Sequence, residues 1–168
     1  MGFIQYYKEQ VEVIKDRDPA IKTNLEALLY PSFWAIYKYR KAHKLYEKGH
    51  VFRARMISQR AARKTGIEIH PAAQIGKGLF IDHGHGVVIG ETTIIGDNVT
   101  LYQGVTLGGS GKEKGKRHPT LQDNVRMPRL DLDQVNMPNP VQLEIKQLKK
   151  ENLELKEIMM KLANHIKE

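Results

Sequence analysis

The sequence predicts an α+β chain in which an N-terminal helical region precedes a short parallel β-helix, and a coiled-coil helix follows. Three changes of apolar spacing predict this order. Apolar residues recur at helical spacing in residues 1–65, at a spacing of six in residues 66–125, and in alternating steps of four and three in residues 141–168. Residues 126–140 contain three prolines and show no period, so we expect a linker there.

The composition excludes several classes of protein. The 168-residue chain has no cysteine, which excludes a disulfide framework, a thiolate zinc site and a cysteine nucleophile. No apolar run is long enough to span a bilayer, and the first ten residues lack the plan of a secretory signal. We therefore expect a cytoplasmic protein that does not contact membranes.

The net charge of +8 is concentrated in the first third of the chain. Residues 1–66 carry 14 of the 27 Lys and Arg but 6 of the 19 Asp and Glu. Such a cluster is one mark of nucleic-acid binding. No aromatic platform or recognised binding motif accompanies it, so we favour a solvated helix face or a surface for an anionic small molecule and expect no nucleic-acid partner.

The first third of the chain is predicted to be helical. Asp18-Pro19 is typical of an N-cap followed by Pro at the first helical position, and apolar residues at helical spacing come after it. A second helix follows Pro31. A third helix runs from about Val51 to a stop at Gly66, since glycine readily ends a helix.

The middle of the chain has the composition and period of a β-helix. Eleven of the 14 glycines lie in residues 66–111, which is incompatible with a long helix. Short flat strands joined by tight corners give a period of six, and three of them make one turn. A polar, glycine-rich loop at residues 108–118 interrupts the repeat, which resumes at Leu121 and Val125. The residues of the period-six series are Ile69, Ile75, Ile81, Val87, Thr93, Val99 and Val105.

A carboxylate and an imidazole within the repeat suggest general-base chemistry. Glu68 and His83 are 15 residues apart, so with about 18 residues per turn they fall on adjacent turns and could approach each other. A carboxylate that holds one imidazole nitrogen leaves the other as a base that can deprotonate a hydroxyl for attack on an acyl group. The alternatives are surface corner residues, or a zinc site built from His83, His85 and His118 across a subunit boundary. We expect no metal, because a corner of a β-helix points alternate residues, such as His83 and His85, to different faces of the coil.

The last 28 residues are predicted to form a coiled coil of nearly four heptads. Asn152 lies in its apolar seam, where asparagine sets register and oligomer number. The alternative is an amphipathic helix that packs on the chain's own β-helix. The seam residues are Ile145, Leu148, Asn152, Leu155, Met159, Leu162 and Ile166.

Several motifs resemble one enzyme family in order and spacing. They are Glu68-Ile-His-Pro-Ala-Ala, Ile81-Asp-His-Gly-His-Gly, Val88-Ile-Gly-Glu-Thr, Gln103-Gly-Val-Thr-Leu-Gly-Gly and Arg117-His-Pro. Together with Arg17-Asp18-Pro19-Ala20, they closely resemble the motifs of serine O-acetyltransferases, left-handed β-helix acyltransferases of cysteine biosynthesis. The resemblance covers residues 1–125.

The resemblance implies transfer of an acetyl group from acetyl-CoA to the hydroxyl of L-serine, which releases CoA and O-acetylserine. It implies that His83 is the general base and that Glu68, where the family often has Asp, orients it. The other implied site residues are Asp18 and Asp82 for the serine amino group, Arg117 and His118 for its carboxylate, and Gly108 and Gly109 beside the acetyl-CoA channel. The glycines and lysines of that loop also suit a phosphate-bearing donor by composition.

The resemblance further implies a homo-oligomer, a trimer or a dimer of trimers, with sites between subunits. After the position of Val125 the family continues with several more hexads, so we expect the shortened repeat to impair activity and the coiled coil to offset this in part. The family's tail often ends in Ile, which docks into O-acetylserine sulfhydrylase. This chain ends in Lys167-Glu168, so that docking is not expected.

Two alternatives to this function follow from the same residues. The first is a related hexapeptide acyltransferase with another hydroxyl or amine acceptor. The second is a non-catalytic oligomerisation protein, a β-helix fused to a coiled coil, which would form a defined oligomer without binding acetyl-CoA.

Overall fold

The structure, a computed structural model, describes residues 2–109 and 115–127. The predicted coiled coil at residues 141–168 lies outside the described residues, as does the predicted linker from residue 128 onward. The helices are α1 (Phe3–Arg17), a 3₁₀ helix (Asn24–Leu29), α2 (Pro31–Glu47) and α3 (Val51–Thr65). The strands are β1 (Ile67–Ile69), β2 (Gln74–Ile75), β3 (Phe80–Ile81), β4 (Val87–Ile89), β5 (Ile94–Ile95), β6 (Thr100–Leu101), β7 (Thr106–Leu107), β8 (Thr120–Leu121) and β9 (Arg126–Met127).

The nine strands form three parallel sheets through which the chain passes in rotation. The sheet orders are β1-β4-β7, β2-β5-β8 and β3-β6-β9, so every third strand returns to the same sheet. Helices and parallel sheets thus follow each other in the predicted order. We name the corners by the strands they follow: corner one follows β1, β4 and β7, corner two follows β2, β5 and β8, and corner three follows β3 and β6. Strand β9 extends the sheets two residues beyond the predicted boundary at residue 125.

The strand register shows that the residues of the period-six series do not all occupy the same inward position on their strands. Ile69 pairs with Ile89, whereas Val87, which the series would place above Ile69, pairs with Ile67. Paired residues are 20 apart in the first turn but 18 apart where Val88 pairs with Thr106. The two extra residues lie at corner three. Each strand and its flanking residues provide two inward positions two residues apart, so the insertion moves the series from one to the other. The one polar residue of the series, Thr93, is buried, and its hydroxyl donates to the carbonyl of Leu107 (3.3 Å).

The start of the helical region differs from the prediction. Asp18 is the C-cap of α1, not the N-cap of a following helix, and its amide donates to the carbonyl of Ile14 (2.8 Å). Residues 1–65 were predicted to be helical, but no separate helix was assigned before Asp18, because the buried Gln10 interrupts the apolar stripe of α1. Later boundaries are confirmed: α2 begins at Pro31, and α3 ends at Gly66 in the left-handed conformation.

Hydroxyl groups of the helices join them to the first turn of strands. The Tyr39 hydroxyl donates to the carbonyl of Ala73 (2.5 Å), and the Ser58 hydroxyl donates to that of Ile69 (2.5 Å). All four of these residues are buried. The hydrogen bonds satisfy polar groups that would otherwise be costly to bury, and they fix α2 and α3 against corner one.

Arg17 joins the end of α1 to corner two. Its Nη1 donates to the carbonyls of Gly78 (2.9 Å) and Val99 (3.0 Å) and to the hydroxyl of Thr100 (3.1 Å). The side chain is only 10% exposed. Because Asp18 follows directly, this docking also fixes the position of that carboxylate.

Replacing Arg17 by methionine is expected to lower the free energy of unfolding by about 2–4 kcal/mol, because charge-assisted hydrogen bonds are lost and buried acceptors stay unpaired. Urea unfolding followed by circular dichroism measures the change. The control is Lys15→Met on the exposed side of the same helix, for which we expect a change within about 0.5 kcal/mol. Equal effects of the two substitutions would show that the Arg17 hydrogen bonds do not stabilise the fold.

Candidate active site

Corner three holds an imidazole on a strained turn. His83 has φ +57°, in the left-handed region that non-glycine residues rarely adopt, and Gly84 and Gly86 have φ +73° and +75°. The amide of Gly84 donates to the carbonyl of Asp82 (2.6 Å), and that of Gly86 donates to the carbonyl of Gly66 (2.9 Å). Backbone strain held in place by such bonds is a mark of functional positions. The His83 side chain is 72% exposed and so is open to a substrate.

Two carboxylates accompany this imidazole. Nε2 of His83 lies 3.8 Å from Oδ2 of Asp82. The Tyr30 hydroxyl donates to Oδ2 of Asp18 (2.5 Å), and the Ala20 amide donates to its Oδ1 (2.8 Å). The Tyr30 hydrogen bond lowers the pKa of Asp18, with a smaller contribution from the charge of His83. Asp18 thus stays ionised, and its carboxylate is close enough to corner three to respond to the charge of His83.

Tyr30 is a residue of this site that the sequence analysis missed. Burial and the hydrogen bond to Asp18 raise its pKa, and the charge of Asp82 acts in the same direction, so the phenol remains a protonated donor. Its signal in the sequence was ambiguous, because a tyrosine just before Pro31 is equally typical of a helix interface. We name Asp18, Tyr30, Asp82 and His83 the base half-site.

Glu68 has a different hydrogen-bond partner from the predicted one. It lies in the middle of β1, half-buried, and its Oε1 accepts from Nε2 of Gln59 on α3 (3.4 Å). Within residues 2–109 and 115–127, no hydrogen bond joins Glu68 to His83, whose Nε2 lies nearest a carboxylate at Oδ2 of Asp82 (3.8 Å). The role of Glu68 in orienting His83 therefore stays a prediction.

Corner one holds the two predicted carboxylate ligands. The amides of Arg117 and His118 both donate to Oγ1 of Thr92 (3.0 and 3.1 Å). Nη2 of Arg117 forms an ion pair with Oε2 of Glu91 (2.5 Å). Thr92, the last residue of the Val88-Ile-Gly-Glu-Thr motif, was not predicted as a site residue. We name Glu91, Thr92, Arg117 and His118 the cationic half-site.

Glycines make room for the cationic half-site. A Cβ atom at Gly90 would overlap the His118 ring, and one at Gly109 would lie 2.9 Å from the carbonyl oxygen of Arg117. At Gly108 it would lie 3.1 Å from Cγ2 of Thr106. Of the two glycines predicted to border acetyl-CoA, Gly109 therefore lies against the segment that carries Arg117, and Gly108 lies against Thr106.

The two half-sites stand on different corners of one chain. The base half-site is at corner three and the cationic half-site is at corner one, and no hydrogen bond or ion pair of the described part of the chain connects them. The paired strands place Gln103 one turn beyond His83, at corner three. Its Oε1 is buried and has no hydrogen-bond partner in the described ranges. A substrate with charges of both signs would have to reach both half-sites.

Metal-ligating side chains do not cluster within the described part of one chain, so the zinc site across a subunit boundary stays an alternative from the sequence alone. No group of three or more His, Asp or Glu side chains among them could hold a metal ion. The three histidines considered for zinc are divided, since His83 and His85 lie at corner three and His118 lies at corner one. None of the described helices is both long and apolar enough to cross a membrane.

The chain is similar to serine acetyltransferases in sequence and in structure, although no family model matches it. It is 58% identical to the serine acetyltransferase of Bacillus licheniformis over 123 residues, which cover 73% of this chain and 57% of that protein. The serine acetyltransferase of Neisseria gonorrhoeae, solved in complex with serine, has a TM-score of 0.69 and 41% identity, and the match covers 74% of this chain and 51% of that one. The serine acetyltransferase of Brucella abortus, solved in complex with coenzyme A, has a TM-score of 0.70 and 39% identity, with coverages of 74% and 50%.

The chain spans a little over half the length of the curated relatives it matches. Within that span the similarity extends through both the helices and the parallel sheets, because it covers about three quarters of this chain. The resemblance inferred from the motifs is thereby confirmed. The chain belongs to the serine acetyltransferase family.

Proposed function

We propose that the chain transfers an acetyl group from acetyl-CoA to the hydroxyl of L-serine, which gives O-acetylserine and CoA. The observation that carries the proposal is the base half-site, where an exposed imidazole is held on a strained turn beside two carboxylates. Family relatives hold serine in one solved structure and coenzyme A in another, which supports the pair of substrates.

The charges of the two half-sites match those of the amino acid. Serine is a zwitterion, so its ammonium needs acceptors and its carboxylate needs donors. Asp18 and Asp82 supply the acceptors. Nη2 of Arg117 is paired with Glu91, so the substrate carboxylate would bind the remaining donors of the guanidinium, and His118 adds a further donor.

The reaction proposed for this site is direct acyl transfer with His83 as general base. His83 takes the proton of the serine hydroxyl as the oxygen attacks the thioester carbonyl carbon of acetyl-CoA. The carbon–sulfur bond then breaks, and the CoA sulfur leaves as the thiol with the proton that His83 carried. Glu68 is proposed to orient the imidazole, and Gly108 and Gly109 to border the acyl donor.

We infer that a complete site forms between copies of the chain. A closed ring in which corner three of one copy faces corner one of the next would unite a base half-site with a cationic half-site. A trimer of left-handed β-helices, alone or paired with a second trimer, satisfies this geometry with equivalent sites. The proposed domains are the helical region 1–65, the β-helix 66–125 with β9 added at its end, the rest of the linker 126–140 and a coiled coil 141–168.

The activity can be tested by following thiol release from acetyl-CoA. The chain has no cysteine, so every thiol detected is CoA. We expect release only when L-serine is present. Ethanolamine, which lacks the carboxylate, should be a poorer acceptor by at least about 100-fold in kcat/KM, because the donors of the cationic half-site would lose their partner.

Two results would count against the proposal. Equal turnover of ethanolamine and L-serine would favour a different hexapeptide acyltransferase. A defined oligomer that neither binds acetyl-CoA nor releases thiol would favour a non-catalytic oligomerisation protein.

A further inference from the structure

Thr92 meets His118 through both its backbone and its side chain. The Thr92 amide donates to Nδ1 of His118 (3.2 Å), and the Thr92 hydroxyl lies 2.8 Å from the same nitrogen. In return, the hydroxyl oxygen accepts from the amides of Arg117 (3.0 Å) and His118 (3.1 Å). One threonine thus holds both the backbone and the ring of the residue predicted to bind a carboxylate.

These contacts determine which ring nitrogen carries the proton. A backbone amide can only donate, so Nδ1 of His118 must accept with its lone pair. The Thr92 hydroxyl already accepts from two amides, which leaves its own hydrogen to donate to Nδ1. Both contacts require Nδ1 without a proton, and a neutral imidazole then carries its proton on Nε2.

The surroundings of His118 also favour the neutral ring. Desolvation lowers its pKa, the charges of Arg117 and Lys116 act in the same direction, and Glu91 opposes them. His70 is a further titratable group near this ring, and the charge of His118 contributes to lowering its pKa, after burial and the charge of Arg55. The ring lies over Gly90, where any side chain would overlap it.

We propose that Thr92 is a positioning residue that holds His118 as the neutral Nε2–H tautomer, so that the ring presents a hydrogen-bond donor to the substrate carboxylate. A carboxylate only accepts hydrogen bonds, and the opposite tautomer would present it with a lone pair. The identity of the hydrogen-bond acceptor of Nε2–H, the carboxylate of serine, rests on the proposed function. The tautomer itself rests only on the Thr92 contacts.

The test is the ¹⁵N NMR spectrum of the full chain with labelled histidine at neutral pH, with His118→Gln to assign the signals. We expect His118 to show an unprotonated Nδ1 and a protonated Nε2. Thr92→Ser keeps the hydroxyl and should keep this pattern. Thr92→Val keeps the shape and the backbone amide but removes the hydroxyl that donates to Nδ1 and accepts from the amides of Arg117 and His118. Without that anchor the 3.2 Å contact of the Thr92 amide with Nδ1 should loosen, so we expect a mixture of tautomers, an increase of about tenfold in KM for L-serine and a smaller change in kcat.

The spectrum separates this inference from the proposed function. A protonated Nδ1 in the unsubstituted chain, or a Thr92→Val spectrum and KM that do not change while the other histidine signals stay in place, would overturn the role of Thr92. The expected tautomers without any thiol release would support the positioning role and overturn only the serine acetylation.

Discussion

Replacing His83 by asparagine is expected to lower kcat/KM for acetyl transfer to L-serine by at least about 100-fold, because a positioned general base contributes about 10²–10⁴-fold. Asparagine suits the test since it tolerates the left-handed conformation that the residue adopts at φ +57°. Asn98 and Asn124 already adopt that conformation at other corners of the same coil. The substitution therefore removes the base and keeps the backbone of corner three.

The matched control is His85→Asn. His85 is an exposed imidazole two residues further along the same corner, and its φ is not positive. This variant should keep most of the activity, and both variants should melt at about the temperature of the unsubstituted chain. Similar losses in the two variants, or high activity in His83→Asn, would rule out His83 as the base.

The coil was predictable because its repeat is a local property of the chain. Short strands with two inward positions each leave a period of six that survives in the sequence, and the glycines mark tight corners. The register was not predictable from that period alone. The two extra residues at corner three shift the series between two inward positions that are both apolar except at Thr93, so the pattern in the sequence hides the shift.

The site was predictable by residue type but not by arrangement. Asp82 and His83 adjoin each other in one motif, whereas Tyr30 reaches Asp18 across 12 residues and Thr92 reaches His118 across 26. Contacts of that kind depend on how α1 and the loop at residues 108–118 pack against the strands. Spacing placed Glu68 near His83 by counting turns, yet its hydrogen bond goes to the neighbouring helix α3.

Mixing the His83→Asn chain with an Arg117→Ala chain is expected to restore activity that neither variant has alone. The two residues lie at different corners of one chain, so a site between copies takes the base from one chain and the cationic fork from the next. Random assembly of equal amounts leaves about a quarter of such sites with both halves intact. Refolding the two chains together, followed by the thiol-release assay, measures the recovery.

The control mixture combines two defects in the same half-site. His83→Asn with Asp18→Asn should not recover, because every corner three in the assembly then carries one of the two substitutions. Recovery in this control would show that Asp18 and His83 serve different sites. If the first mixture stays inactive although the chains assemble together, a site that takes His83 from one copy and Arg117 from another is excluded.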